Sequence, residues 1–168
     1  MEEPNGWDVG RPGDRLDEDV RAAFCRKFAL QTLKRFGIAD APVPVERLAS
    51  RLGFQVETKA LPRGVDAKLR VVDGGRVIEL ASGQPRTRQR FSIAHELGHH
   101  LLKHRHGESD VAEKQANIFA GALLAPGAWL ARDLATGHTS ASLAEKYQVS
   151  KEVIFIAAKD ARLLGRLA

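Results

Sequence analysis

The chain has 168 residues, 43% of them hydrophobic and 28% charged, an ordinary balance for one globular domain with a sizeable core. No apolar run approaches the ~20 residues that span a bilayer, and Met1-Glu2-Glu3-Pro4 lacks the basic-then-apolar layout of a signal peptide, so the expectation is a cytoplasmic protein with no membrane partner. Formal net charge is +5 and uneven: residues 1–20 hold seven acids and two bases, leaving 24 bases and 14 acids beyond them, a basic body that suits an acidic protein or nucleic acid but is more often plain solvation.

Residues 1–16 carry Pro4, Gly6, Gly10, Pro12 and Gly13 with little apolar content and read as a mobile lead-in. A helix capped by Asp17 or a neighbouring acid then runs to about Phe36. Val20, Phe24 and Phe28 form its stripe and Gly37 stops it. Cys25, the only cysteine, falls in that stripe and reads as a core thiol suited to a reducing compartment. A short helix follows Pro44, with Val45, Leu48, Ala49 and Leu52 at helical spacing and Gly53 as its stop.

From Phe54 to Ser82 the period moves towards two, with an Asp73-Gly74-Gly75 turn, which predicts a small antiparallel sheet. A polar loop from Gly83 to Gln89 leads into a helix from about Phe91 to Lys103. Another helix is expected from Val111 to Leu124, stopped by Pro126, with two or three short helices after it. The fold class is therefore α+β, mainly helical. The division expected is a lead-in at 1–16, a principal domain at 17–137, and a C-terminal helical segment at 138–168 packed on it.

The chemistry lies in His95-Glu96-Leu97-Gly98-His99. Residues four apart in a helix are ~40° apart in azimuth, so His95 and His99 can converge on one ion, while Glu96 stands beside that ion, placed to take a proton from water. His-Glu-x-x-His would arise by chance in a chain of this composition about 0.014 times, so a third ligand is needed to give it weight. A third histidine six residues after His99 is excluded, because Leu102 and Arg105 occupy the required glycine and histidine positions and His104 and His106 flank them. Glu113 on the following helix is favoured as that ligand, with Asn117 on the same face placed to orient one of the others; Asp110 and Glu108 are rivals. His100 and His104 read as a polar face. Gly98 reads as a place where another element packs closely. The N and O donors imply zinc, with manganese as an alternative.

The stretch Arg90-Phe91-Ser92-Ile93-Ala94-His95-Glu96-Leu97-Gly98-His99, followed by Glu113-Lys114-Gln115-Ala116-Asn117 and Leu123-Leu124-Ala125-Pro126, resembles the ImmA/IrrE metallopeptidases, and so does the order of elements over most of residues 17–165. The resemblance implies a gluzincin-like core, His95, His99 and Glu113 as zinc ligands, Glu96 as base, and endopeptidase cleavage of a helix-turn-helix repressor that relieves transcriptional repression. Ala125 departs from the family pattern, which often has Met there.

Three questions stay open on the residues. Tyr147, His138 and Arg90 are candidate donors to an oxyanion. Leu143-Ala144, Val149-Ser150 and Ile154 have helix-turn-helix spacing with Lys159, Arg162 and Arg166 beyond, so DNA binding, or docking of the repressor, is the rival function; Gln148 stands where such a turn usually has Gly. A zinc-stabilised module without catalysis is the third reading, against which Glu96 argues.

Overall fold

The computed structural model describes residues 18–105 and 109–167. The expected lead-in, the Asp17 cap, His106 and Glu108 lie outside the described residues. In chain order the elements are α1 (Glu18–Arg35), α2 (Val45–Arg51), β1 (Phe54–Lys59), β2 (Ala67–Val72), β3 (Gly75–Ala81), α3 (Arg86–Leu101), α4 (Asp110–Leu124), α5 (Gly127–Ala135), α6 (Ser140–Tyr147), α7 (Lys151–Asp160) and a final 3-10 turn (Leu164–Arg166).

The centre is a stack of α1, α4 and α3. Ala116, Phe119, Ala120, Leu123 and Leu124 of α4 are all fully buried, and Phe119 meets Phe28 of α1 with ring centroids 6.1 Å apart. Cys25 is buried in the same layer, and burial pushes its thiol up to about 11, which makes it inert. By length and composition the stretch Asp110–Ala135 would suit a membrane span, but it is two helices broken at Pro126, with Leu123, Leu124 and Leu130 in the core.

The sheet is mixed, where an antiparallel one was expected: its order is β1-β3-β2, with β2 antiparallel to β3 and β1 parallel to it. The hairpin part follows the predicted turn, since Asp73 and Gly74 both take positive φ (49° and 80°), as a two-residue hairpin loop requires. The parallel part follows from burial. Val77, Ile78, Glu79 and Leu80 are all buried, so β3 needs a strand on each side, while β1 and β2 are largely exposed and serve as edges. Glu79 is tolerated there because Lys59 of β1 (2.7 Å) and Arg70 of β2 (3.2 Å) both donate to it; Lys59 chiefly holds its carboxyl below the usual range.

α3 begins five residues before the predicted start. Pro85 caps it, and its carbonyl accepts from the Arg88 and Gln89 amides. Arg86 to Gln89, expected as loop, are its first turn, and Arg90 after them is buried: its guanidinium donates to the Val43 carbonyl (2.7 Å) and the Gln148 carbonyl (3.1 Å), tying α3 to the segment before α2 and to the turn after α6. That turn is Gln148-Val149-Ser150, with Gln148 in the left-handed region (φ 53°) where Gly was missing, and Ser150 capping α7 through the Val153 amide.

Candidate metal centre

Gly98 sets the distance between α3 and α4. A Cβ placed on it would lie 3.2 Å from the Ala116 carbonyl oxygen and 3.0 Å from Phe119 Cδ1, so the two helices approach as closely as only a glycine permits. That approach brings the first turn of α4 to the histidine face of α3. Nε2 of His95 and Nε2 of His99 lie 3.0 Å apart, Glu113 Oε2 is 3.2 Å from the former, and Glu113 Oε1 is 3.3 Å from the latter. His95, His99 and Glu113 each offer one ligand atom within 4.8 Å of the others.

The outer nitrogens decide which way the lone pairs face. Asn117 Oδ1 is 2.9 Å from His95 Nδ1 and can only accept, so Nδ1 carries the proton and Nε2 presents a lone pair. A second chain runs through His104. Gln115 Oε1 accepts from His104 Nε2 (2.8 Å), which leaves His104 Nδ1 to accept from His99 Nδ1 (3.1 Å), and His99 Nε2 is again the lone pair. Two lone pairs and a carboxylate thus face one another with no donor between them. Such a set is repulsive without a cation, and the 3.0 Å between the two Nε2 atoms is close to the ~3.3 Å edge of a tetrahedron with ~2.0–2.1 Å Zn–N arms.

Charge states agree. Burial, then His95, pushes His99 down to about 4, with Glu113 opposing, so its ring is neutral and able to ligate at pH 7. Glu96 is half-buried beside the cluster, and burial, followed by the nearby Glu113, raises its carboxyl to about 7, the range that suits a general base. A divalent ion would pull it back down.

Other sequence candidates fall elsewhere. Asp110 opens α4, exposed, and does not join the cluster. His100 packs edge-on against Phe54 (4.9 Å) with Arg76 Nη1 3.4 Å away. None of the three oxyanion candidates lines the groove over the cluster: Arg90 is engaged as above, Tyr147 donates from its hydroxyl to buried Asp133 at 2.8 Å, and His138 contacts Ser142 at the start of α6. His104, expected on a polar face, stands behind His99 in the site. It reaches His99 because α3 ends with Lys103 in the left-handed conformation (φ 58°), with the Lys103 amide bonded to the His100 carbonyl and the His104 amide to the His99 carbonyl. A left-handed cap made by lysine leaves no glycine signal to read.

The groove has a volume of about 1250 Å³, with His95, Glu96, His99, Glu113 and Asn117 along it and β2 on one wall.

The sequence model of the M78 peptidases, the IrrE N-terminal-like domain, matches residues 49–158, which include every residue of the cluster. No curated protein matches the chain. Among solved structures of the same fold is a Mycobacterium tuberculosis transcriptional regulator, with TM-score 0.54 and 18% identity over 82% of this chain and 46% of that one. This chain therefore spans less than half the length of that regulator, and the likeness is one of fold.

Proposed function

The chain belongs to the IrrE N-terminal-like peptidase family, and on that premise we propose that it is a zinc-dependent endopeptidase with His95, His99 and Glu113 as metal ligands and Glu96 as general base. One observation carries the reading: three acceptor atoms on two helices converge within 4.8 Å while the outward imidazole protons are occupied by Asn117 and His104. An ion held there would polarise the scissile carbonyl as a Lewis acid and acidify a water molecule. Glu96 accepts the proton of the attacking water and delivers it to the leaving amine, a role for which a carboxylate buried beside its target is suited. Asn117 and His104 hold the two imidazoles in one tautomer and one orientation throughout. The two-nitrogen, one-carboxylate donor set favours zinc, with manganese as the alternative.

The substrate in this reading is a helix-turn-helix repressor in the cytoplasm, as the ImmA/IrrE resemblance implies. Residues 17–137 then form the peptidase domain, with 138–168 packed on it. DNA readout by α7 is less well supported, because the middle of that helix exposes Glu152, Phe155 and Ile156, and its exposed donors, Lys151 and Lys159, stand at its two ends. A metal module without catalysis leaves both the groove and the perturbed Glu96 unused.

The test replaces one group. Glu96→Gln should keep stoichiometric zinc by elemental analysis and lose cleavage of the repressor substrate, read by mass spectrometry. Cleavage by the Gln variant at the wild-type rate would remove the base, and failure of the wild-type protein to take up any divalent metal would remove the site.

A further inference from the structure

Six cationic side chains line the metal groove, Arg35, Arg51, Lys68, Arg76, Lys103 and Arg105, against one carboxylate outside the cluster and its base, Asp66. Asp66 is already engaged by Arg88 (2.9 Å) and Gln84. Lys68, Lys103 and Arg105 are exposed and have no carboxylate partner among the described residues. Arg51 is held at the groove by Phe36, whose carbonyl accepts from Nη1 at 2.9 Å and whose ring lies 4.7 Å beneath the guanidinium. An adjoining groove of about 1110 Å³ shares Asp66, Phe91, Ser92 and Asn117 with the first and is lined mainly by α4, α5 and α7. It differs in charge. Its two arginines are both neutralised, Arg26 by Asp160 at 3.1 Å and Arg88 by Asp66. Between the two grooves, uncompensated positive charge is thus gathered on the metal side.

We propose that this half of the groove selects a substrate segment rich in Asp and Glu, with Lys68, Lys103 and Arg105 as its specificity-determining residues; the proposal rests on the peptidase reading above. Their placement fits an extended segment lying along the groove. Lys68 belongs to the edge strand β2, Lys103 is fixed in the turn that closes α3 beside His99, and Arg105 follows two residues on. Carboxylates arriving from a bound chain supply the counter-charges the groove lacks, and several such exposed pairs together give roughly tenfold or greater discrimination that salt weakens. Nucleic acid would also answer the charge, but it offers no amide bond to the cluster around which these cations stand.

Binding decides it without relying on turnover. The probes are short peptides carrying a neutral dye: one alternating Asp and Glu with Ala, and its Asn/Gln isostere. Zinc-loaded full-length Glu96→Gln protein, measured by fluorescence anisotropy, should bind the acidic peptide at least about tenfold more tightly at low salt. The combined variant Lys68→Gln, Lys103→Gln, Arg105→Gln on that background should lose the preference. A control, Lys27→Gln, Lys151→Gln, Lys159→Gln, removes the same charge from exposed positions outside both grooves and should keep it. Unchanged zinc stoichiometry and melting temperature certify that each variant is folded. Equal binding of the isostere, equal loss in the control, or displacement of the acidic peptide by a short oligonucleotide that binds more tightly would each overturn the proposal. Absence of zinc uptake with the acidic preference intact would instead sink the peptidase reading and leave the acidic-ligand assignment standing.

Discussion

Gly98 and Ala116 are in backbone contact across the α3–α4 crossing: a methyl on Gly98 would sit 3.2 Å from the Ala116 carbonyl oxygen and 3.3 Å from its Cα. Because both atoms are main chain of a buried helix, neither can swing aside. Gly98→Ala gains ~1 kcal/mol of helix propensity and loses about 1–3 kcal/mol to overpacking, so a net destabilisation of about 1 kcal/mol is expected. The larger effect should be on metal. Separating the helices moves Glu113 from His95 and His99, so zinc affinity, measured by competition with a chelator, should fall more than the metal-free melting temperature does. A stable variant with wild-type affinity would show that the glycine does not set the ligand distance.

The two hydrogen-bond chains behind the imidazoles make a paired prediction. Asn117→Ala and His104→Ala should each lower zinc affinity by roughly 10–100-fold, the usual consequence of removing a group that orients a ligand. Gln115→Ala acts one step further back, on His104, and should have a smaller effect of the same sign. Chelator titration reads all three. If His104→Ala bound zinc as tightly as wild type, the His99 tautomer would not depend on it.

The difference between those two chains also shows what the sequence could carry. His95, His99, Glu113 and Asn117 are pairs at helical spacing on two strongly patterned helices, so their convergence needed only that the helices cross at Gly98. His104 needed a left-handed lysine to turn the chain back, and no local pattern announces one. The strand periods and the Asp73-Gly74 turn gave the β2–β3 pairing, but the side on which β1 joins is a choice between two edges of β3 that only tertiary burial makes. Arg90 failed to read as core for a related reason: its partners, the Val43 and Gln148 carbonyls, lie 47 and 58 residues away.

Proton linkage gives a test of the Glu96 environment in metal-free protein. His99 is pushed down to about 4 when folded, so above its ordinary 6.5 it adds stability that is lost as pH falls from 6.5 to 4, where the unfolded ring is protonated and the folded ring is not. Glu96 is pushed up to about 7, so its contribution is present below 4.5 and is lost as pH rises from 4.5 to 7. Between 4.5 and 6.5 the two slopes oppose each other, and the pair should leave stability nearly flat. Glu96→Gln deletes one of them. Urea unfolding of the metal-free variant should then show stability rising as pH rises across that window, by up to about 1.4 kcal/mol per pH unit. A flat profile in the variant would mean that His99 is not held neutral.

Tyr147 and Arg90 have the right chemistry to stabilise an oxyanion, yet each is occupied in holding the C-terminal helices to the rest. The Tyr147 hydroxyl, fully buried, donates to Asp133, and burial together with that bond raises it well above the phenol range, so it donates permanently. Asp133 stays ionised despite burial, held down to about 2 by Arg132, Lys146 and Tyr147. Tyr147→Phe removes one of those three donors and should cost about 1–2 kcal/mol in unfolding free energy. Arg90→Met removes the buried guanidinium's bonds to the Val43 and Gln148 carbonyls and should cost more, about 2–4 kcal/mol. Neither should change kcat on the folded fraction, because neither residue lines the metal groove. A hundredfold fall in kcat for Tyr147→Phe at full occupancy of the folded state would return it to the chemistry and require the α6 end to move into the groove during turnover.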